Sequence, residues 1–173
     1  MALFAAPILL IEPARAQNKA AGTPGAAKAA PEQSGANVNQ KAPGWTVTCA
    51  DSGEGMACKA MQTIIVAKTR QRLLQISVRR ADDSGAMALL FHLPHGIFNP
   101  AGVTTTVDGA AGETLDIQTC DAQGCYAASS MPPAKFASLL KGASLAVTFQ
   151  DLNKKKVTVP VTLKGLDEAA KKL

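Results

Sequence analysis

From Gly44 onward, apolar residues recur in short runs separated by turn-forming residues, with the two-residue alternation of half-buried strands. Trp45 to Cys49 alternates large and small side chains, and the cluster Asp51-Ser52-Gly53-Glu54-Gly55 supplies a turn. Met56 to Gln62 reads as the returning strand, which the β-branched run Thr63 to Lys68 extends. Leu73 to Arg79 is a further strand, closed by Asp82-Asp83-Ser84-Gly85. Met87 to Leu93 follows and ends at Pro94. Val103 to Val107 precedes Asp108-Gly109, a strong hairpin signal. Thr114 to Cys120 and Cys125 to Ser129 form another pair, joined through Asp121-Ala122-Gln123-Gly124.

Pro132-Pro133 predicts the start of a short helix, Ala134 to Leu140, because proline is tolerated in a first helical turn. Gly142 supplies its cap. Ala143 to Phe149 and Lys156 to Leu163 make a last strand pair around Asp151-Leu152-Asn153-Lys154. Gly165 opens a terminal helix with Lys171-Lys172 near its end, where positive charge suits the helix dipole. Roughly eight to ten short strands with two brief helices predict an all-β, mostly antiparallel fold, a β-sandwich or a barrel-like sheet. The βαβ alternation of dinucleotide-binding folds is absent from the pattern.

Ahead of this region the pattern changes. Residues 17–43 are rich in Ala, Gly, Pro, Gln, Asn and Lys without apolar periodicity, the composition of a flexible linker. Residues 1–16 combine an apolar run from Ala2 to Ile11, the breaker Glu12-Pro13 and the small-residue site Ala14-Arg15-Ala16. Those are parts of a secretory signal peptide, with cleavage expected after Ala16, although no Lys or Arg precedes the apolar run. The run is too short to span a bilayer, so no stable membrane span is expected. The expected organisation is therefore a signal peptide over 1–16, a linker over 17–43 and a β domain over 44–173.

Four cysteines, Cys49, Cys58, Cys120 and Cys125, agree with export: in an oxidising compartment an even set reads as two disulfides. Three pairings are open, and local spacing favours Cys49–Cys58 and Cys120–Cys125. Bridges suit a core in which aromatic residues make up only 4% of the chain, since small side chains bury less area each. Periplasmic or secreted localisation is the expectation.

Composition also narrows the partners. A net charge of +5 from scattered Lys and Arg favours acidic surfaces. With one Trp, one Tyr and five Phe, the interleaving of basic and aromatic residues used on nucleic acid is missing, so no nucleic-acid partner is expected. Lys154, Lys155 and Lys156 at a hairpin tip read first as charges that discourage strand-edge aggregation, and second as candidate contacts for an anionic partner. Trp45, close to Cys49 in sequence, reads as a core plug against the first disulfide in preference to a sugar-stacking platform.

Catalytic constellations are weak. Cys120-x4-Cys125 admits a thiol–disulfide reading, but redox pairs usually sit closer together, at a helix N-terminus. Eight residues separate Cys49 from Cys58, which does not fit a paired zinc knuckle. His92 and His95 lie three apart, so on a strand they face opposite ways, and Pro94 rules out a regular helix between them. G-x-S-x-G and a phosphate-binding glycine loop are both missing, and Asp82-Asp83 reads as solvated turn chemistry. The sequence therefore predicts a non-enzymatic protein without metal or cofactor.

Several residues then form a recognisable order: Gly44-Trp45-x-Val47-x-Cys49; Cys58 with Gln62; Leu93-Pro94-His95-Gly96-Ile97; Val107-Asp108-Gly109; Cys120-x4-Cys125-x-Ala127; and Lys164-Gly165-Leu166. This order resembles the invasion-associated locus B family of exported bacterial proteins over Gly44 to Leu173. The resemblance implies a signal peptide, a compact β-rich domain in the periplasm or outside the cell, and no established enzymatic activity. The family has an apolar residue where this chain has His95. The expected function is an envelope module that binds a glycan, envelope or protein partner, with adhesion to host cells implied by the family name alone. The alternative is a periplasmic thiol–disulfide oxidoreductase using Cys120 and Cys125.

Overall fold

A computed structural model describes residues 44–53 and 55–173; the expected signal peptide and linker lie outside the described residues. Ten strands form two antiparallel sheets among these residues. The first five strands are β1 (Thr46–Asp51), β2 (Met56–Ile65), β3 (Arg72–Arg80), β4 (Met87–Leu93) and β5 (Val103–Val107). They are followed by β6 (Ala110–Leu115), β7 (Thr119–Asp121), β8 (Gly124–Met131), β9 (Ser144–Gln150) and β10 (Lys156–Thr162). Helix α1 (Pro133–Leu140) separates β8 from β9, and α2 (Leu166–Ala170) follows β10. One sheet has the order β1-β2-β3-β4-β8-β7 and the other β10-β9-β5-β6. The two sheets are open, so the architecture is not a closed barrel.

Alternation decides which side chains meet. Leu74, Ile76 and Val78 of β3 and Leu89, Phe91 and Leu93 of β4 are buried on one face of the six-stranded sheet. Val147 and Phe149 of β9 with Val159 and Val161 of β10 are buried on one face of the other. These residues belong to one hydrophobic cluster, to which α1 adds Phe136 and Leu139 and α2 adds Leu166 and Ala169. Trp45, partly buried, donates its Nε1–H to the Thr162 carbonyl at 3.0 Å, and the Gln62 amide Nε2 donates to the same oxygen at 3.4 Å. The start of the six-stranded sheet is thereby fastened to the last strand of the other. Trp45 lies four residues from Cys49 along the chain, roughly 13 Å in an extended strand, so its polar anchor is Thr162 rather than the disulfide end of β1.

Three boundaries differ from the sequence expectation. The run Thr114 to Cys120 is divided: β6 ends at Leu115 in the four-stranded sheet, and β7 starts at Thr119 in the six-stranded one. β6 also begins earlier, at Ala110, because the Asp108-Gly109 turn pairs Val107 with Ala110 directly. Both turn residues have positive φ (49° and 80°), the geometry of a tight two-residue hairpin. β2 stops at Ile65, short of Lys68, where a Val66–Gln71 hydrogen bond closes a loop.

Gly142 also plays a different part. Its N–H bonds the Leu139 carbonyl at 3.0 Å, but its backbone is not left-handed. Side chains of Val107 and Leu163 fill the space a Cβ would need, so close packing is what calls for glycine there.

Candidate functional site

Both cysteine pairs close hairpins of the six-stranded sheet. Cys49 is bonded to Cys58 across β1 and β2, and Cys120 to Cys125 across β7 and β8. In each case the two residues are directly opposite in the strand register. There are no free cysteines among the described residues.

The second hairpin carries the densest group of polar side chains. Asp121 opposes Gly124, so Ala122-Gln123 forms the tip. Asp121 Oδ1 accepts from the Gln123 N–H at 2.7 Å, the Gly124 N–H at 3.2 Å and the Tyr126 hydroxyl at 3.2 Å. The Gln123 N–H is the leading cause that holds its carboxyl below the usual range. Desolvation, and then the bond to Asp121, pushes the Tyr126 phenol up. The Tyr126 ring stacks on His92 with centroids 4.3 Å apart.

His92 sits in β4 directly opposite Tyr126 and is buried. Arg72 at the start of β3 brings Nη2 to 2.8 Å from His92 Nε2 and donates to the Gln123 carbonyl at 2.8 Å. A guanidinium only donates, so Nε2 must offer its lone pair, which requires a neutral imidazole. The Gln123 carbonyl also lies 3.1 Å from Nε2, and with Arg72 already donating to both it is satisfied in this tautomer. Burial is the main cause lowering the His92 pKa; the nearby Arg72 charge acts in the same direction. Gly124 fits because a Cβ there would strike the Leu93 carbonyl and the His92 ring.

Chemically, this group clamps the hairpin to β3 and β4. Imidazole, carboxylate, phenol and the Nη2 of the guanidinium are engaged with one another or with backbone, while Arg72 Nε is buried without a hydrogen-bond partner. Cys125 is 4% exposed, and the pair joins two strands rather than occupying a helix N-terminus. His95 is exposed in the bend after β4 and makes none of the ring or hydrogen-bond contacts described for His92. No group of three His, Cys, Asp or Glu residues suited to a metal ion occurs among the described residues.

Lys154, Lys155 and Lys156 lie at the β9–β10 tip, at the outer strand of the four-stranded sheet. Asp151 sits within that tip: its Oδ1 accepts from the Asn153 and Lys155 N–H groups at 2.8 and 2.9 Å. Lys154 adopts φ 61° and places Nζ 5.3 Å from the centroid of the Phe98 ring. The tip therefore holds one acidic side chain among three basic ones.

Sequence reasoning did not find Arg72, Tyr126 and Asp121 as partners of His92. It also missed Glu113, whose Oε2 accepts from Lys135 at 2.6 Å and Ser129 at 2.9 Å, joining β6, α1 and β8. Asp121-x-Gln123-Gly124 is a legible local turn signal; the long-range pairings leave no mark in spacing.

Two open antiparallel sheets around one core, with each edge hairpin of the larger sheet closed by a disulfide, define a small stapled β domain. The family profile described as invasion associated locus B protein matches residues 45–173, and the chain belongs to that family. Two invasion protein B homologues, from Brucella abortus strain 2308 and Brucella abortus biovar 1 strain 9-941, are each 31% identical over 126 residues, covering 72% of this chain and 72% of theirs. The crystal structure of invasion associated protein B from Bartonella henselae shares the fold with a TM-score of 0.67. It is 18% identical, with 77% of this chain and 92% of that chain covered. No helix among the described residues is long and apolar enough to cross a membrane.

Proposed function

We infer that this chain is an exported, non-enzymatic envelope protein that presents a rigid β surface to an acidic partner, with a role in contact between bacterium and host. The observation that carries this reading is the pair of disulfides across opposed strands, because such bonds persist in oxidising compartments. The names of the Brucella and Bartonella relatives, invasion proteins, support the host-directed part. In this reading residues 1–16 direct export, residues 17–43 tether and residues 44–173 bind. Lys154, Lys155 and Lys156 add a weak patch for the same acidic partner while guarding the sheet edge.

Against thiol–disulfide catalysis stand the placement of the pair across two strands, away from a helix N-terminus, and the engagement of the neighbouring side chains in holding the hairpin. The test uses the protein in its own bacterium. Fractionation with thiol alkylation and mass mapping is expected to find it in the periplasm or medium, with no alkylated cysteine. Recovery from the cytosol with four alkylated cysteines would overturn the reading. Insulin-reduction activity that vanishes in Cys125→Ala would replace it with the enzymatic one.

A further inference from the structure

The solvent face of the six-stranded sheet carries an unusual pair. Lys59 of β2 and Arg79 of β3 are directly opposite each other in the strand register. Like charges in that position repel and weaken a sheet. Ion pairs are few among the described residues: Lys135 pairs with Glu113 and Lys171 with Glu168, each at 2.6 Å, and what sets Lys59 and Arg79 apart is that two cations face each other directly. Neither Lys59 nor Arg79 has a carboxylate within ion-pair distance among the described residues.

The two cations border a hollow. Thr48 of β1 continues the same cross-strand row opposite Lys59, and the small pair Ala50 and Ala57 in the next row leaves a depression beside it. The cavity is about 240 Å³. That is well above the share of a single water, about 30 Å³, and a little below the 300 Å³ or so at which drug-sized sites begin. It is the scale of one ring bearing an acidic group. Cys49 and Cys58 also line the hollow; by alternation their side chains project to the opposite face, so the disulfide fixes the separation of the two strands that floor it.

We propose that the hollow formed by Thr48, Ala50, Ala57, Lys59 and Arg79 binds the acidic group of a single sugar ring, a carboxylate or a phosphate. The reasoning rests on the reading of this chain as a binding module. The Arg79 fork and the Lys59 ammonium meet the anion, the Thr48 hydroxyl offers one hydrogen bond, and the two alanines leave room for the ring. The anion relieves the repulsion between the cations, and the stapled hairpin keeps the walls in place before binding. The Lys154–Lys156 tip is a poorer site, because Asp151 lies inside it and Lys154 is drawn over Phe98.

The test is a titration of the oxidised, isotope-labelled full chain, followed by amide chemical shifts. The probes are glucuronate, glucose 1-phosphate, inorganic phosphate and glucose. The two acidic sugars are expected to shift the amides of Thr48, Ala50, Ala57, Lys59 and Arg79, and to bind at least tenfold more tightly than glucose or inorganic phosphate. Lys59→Gln and Arg79→Gln are each expected to weaken that binding at least tenfold. Each is also expected to raise the melting midpoint by about 1–3 °C, since the repulsion is gone. Binding that is unchanged in both variants, shifts centred on Lys154 to Lys156, or equal affinity for inorganic phosphate and the acidic sugars would overturn the proposal. The fractionation and thiol assays do not depend on Lys59 or Arg79. Export with no binding in the hollow would therefore reject this site and leave the broader reading in place.

Discussion

The two sheets solve the same problem by different means. In the six-stranded sheet the outer strands are β1 and β7, and burial holds them poorly. Among β1 residues only Val47 is even partly buried, and all three residues of β7 are exposed. Each of these strands is bonded through sulfur to its neighbour. In the four-stranded sheet the outer strands are β10 and β6, and neither contains cysteine. There Val159, Val161 and Leu115 are buried, and Pro160 blocks one ladder position on β10. The pairing of β5 with β6 is irregular between Thr104 and Thr106, which further discourages edge-to-edge growth. Covalent bonds thus sit on outer strands with no fully buried residue, whereas β10 and β6 each keep at least one buried apolar anchor, Leu115 alone in β6.

That contrast can be broken first from the unstapled side. Phe149 of β9 is 4% exposed, and Phe149→Ala is expected to cost about 3–5 kcal/mol, the usual range for a buried Phe. Urea denaturation of the oxidised protein would measure it. A cost near 1 kcal/mol would mean that the four-stranded sheet does not depend on its buried face.

The stapled side should respond less, and locally. Removing both sulfurs by Cys49→Ser with Cys58→Ser is expected to cost roughly 2.5 kcal/mol, and the Cys120/Cys125 equivalent roughly 2 kcal/mol, from the separations of 9 and 5 residues. Hydrogen exchange sharpens the comparison. Amides of β1 should exchange faster in the first variant and those of β7 in the second, with β10 unchanged in both. Acceleration spread evenly over both sheets would show that the staples act on the whole domain instead of on two edges.

The smallest effect concerns pH. Because His92 has a folded pKa below its ordinary value of 6.5, the folded state takes up its proton less readily than the unfolded chain. Its contribution is therefore fully present above about pH 6.5 and is lost as pH falls through the folded value. Melting midpoints of the wild type should drop between pH 7.5 and pH 5.5, and His92→Gln should flatten that part of the profile. An identical slope in the variant would show that His92 is not the group responsible.

Much of the fold could be read from local punctuation. Met87 to Leu93 was bounded at both ends, by Ser84-Gly85 before it and Pro94 after it, and β4 has those limits. Asp108-Gly109 marks a hairpin because both residues tolerate the positive φ that a tight turn needs, and Pro132-Pro133 marks a helix start because proline fixes φ near the helical value. The division of Thr114 to Cys120 between two sheets was not legible, because every residue in the run tolerates extended backbone and only the distant strands decide where it leaves. Ala110 to Glu113, poor in β-branched residues, became strand through its turn and its partner β5. The polar group around His92 was hidden more deeply, since Arg72 and Gln123 meet it from 20 and 31 residues away.

The opposed-strand sulfur links have a further consequence for survival among proteases. Cleavage needs an extended stretch to peel away from the sheet, and shallow outer strands are where peeling starts. Here a cut inside either hairpin turn would leave both new ends tied across the gap. The nicked product would remain a single covalent molecule with its strand order intact.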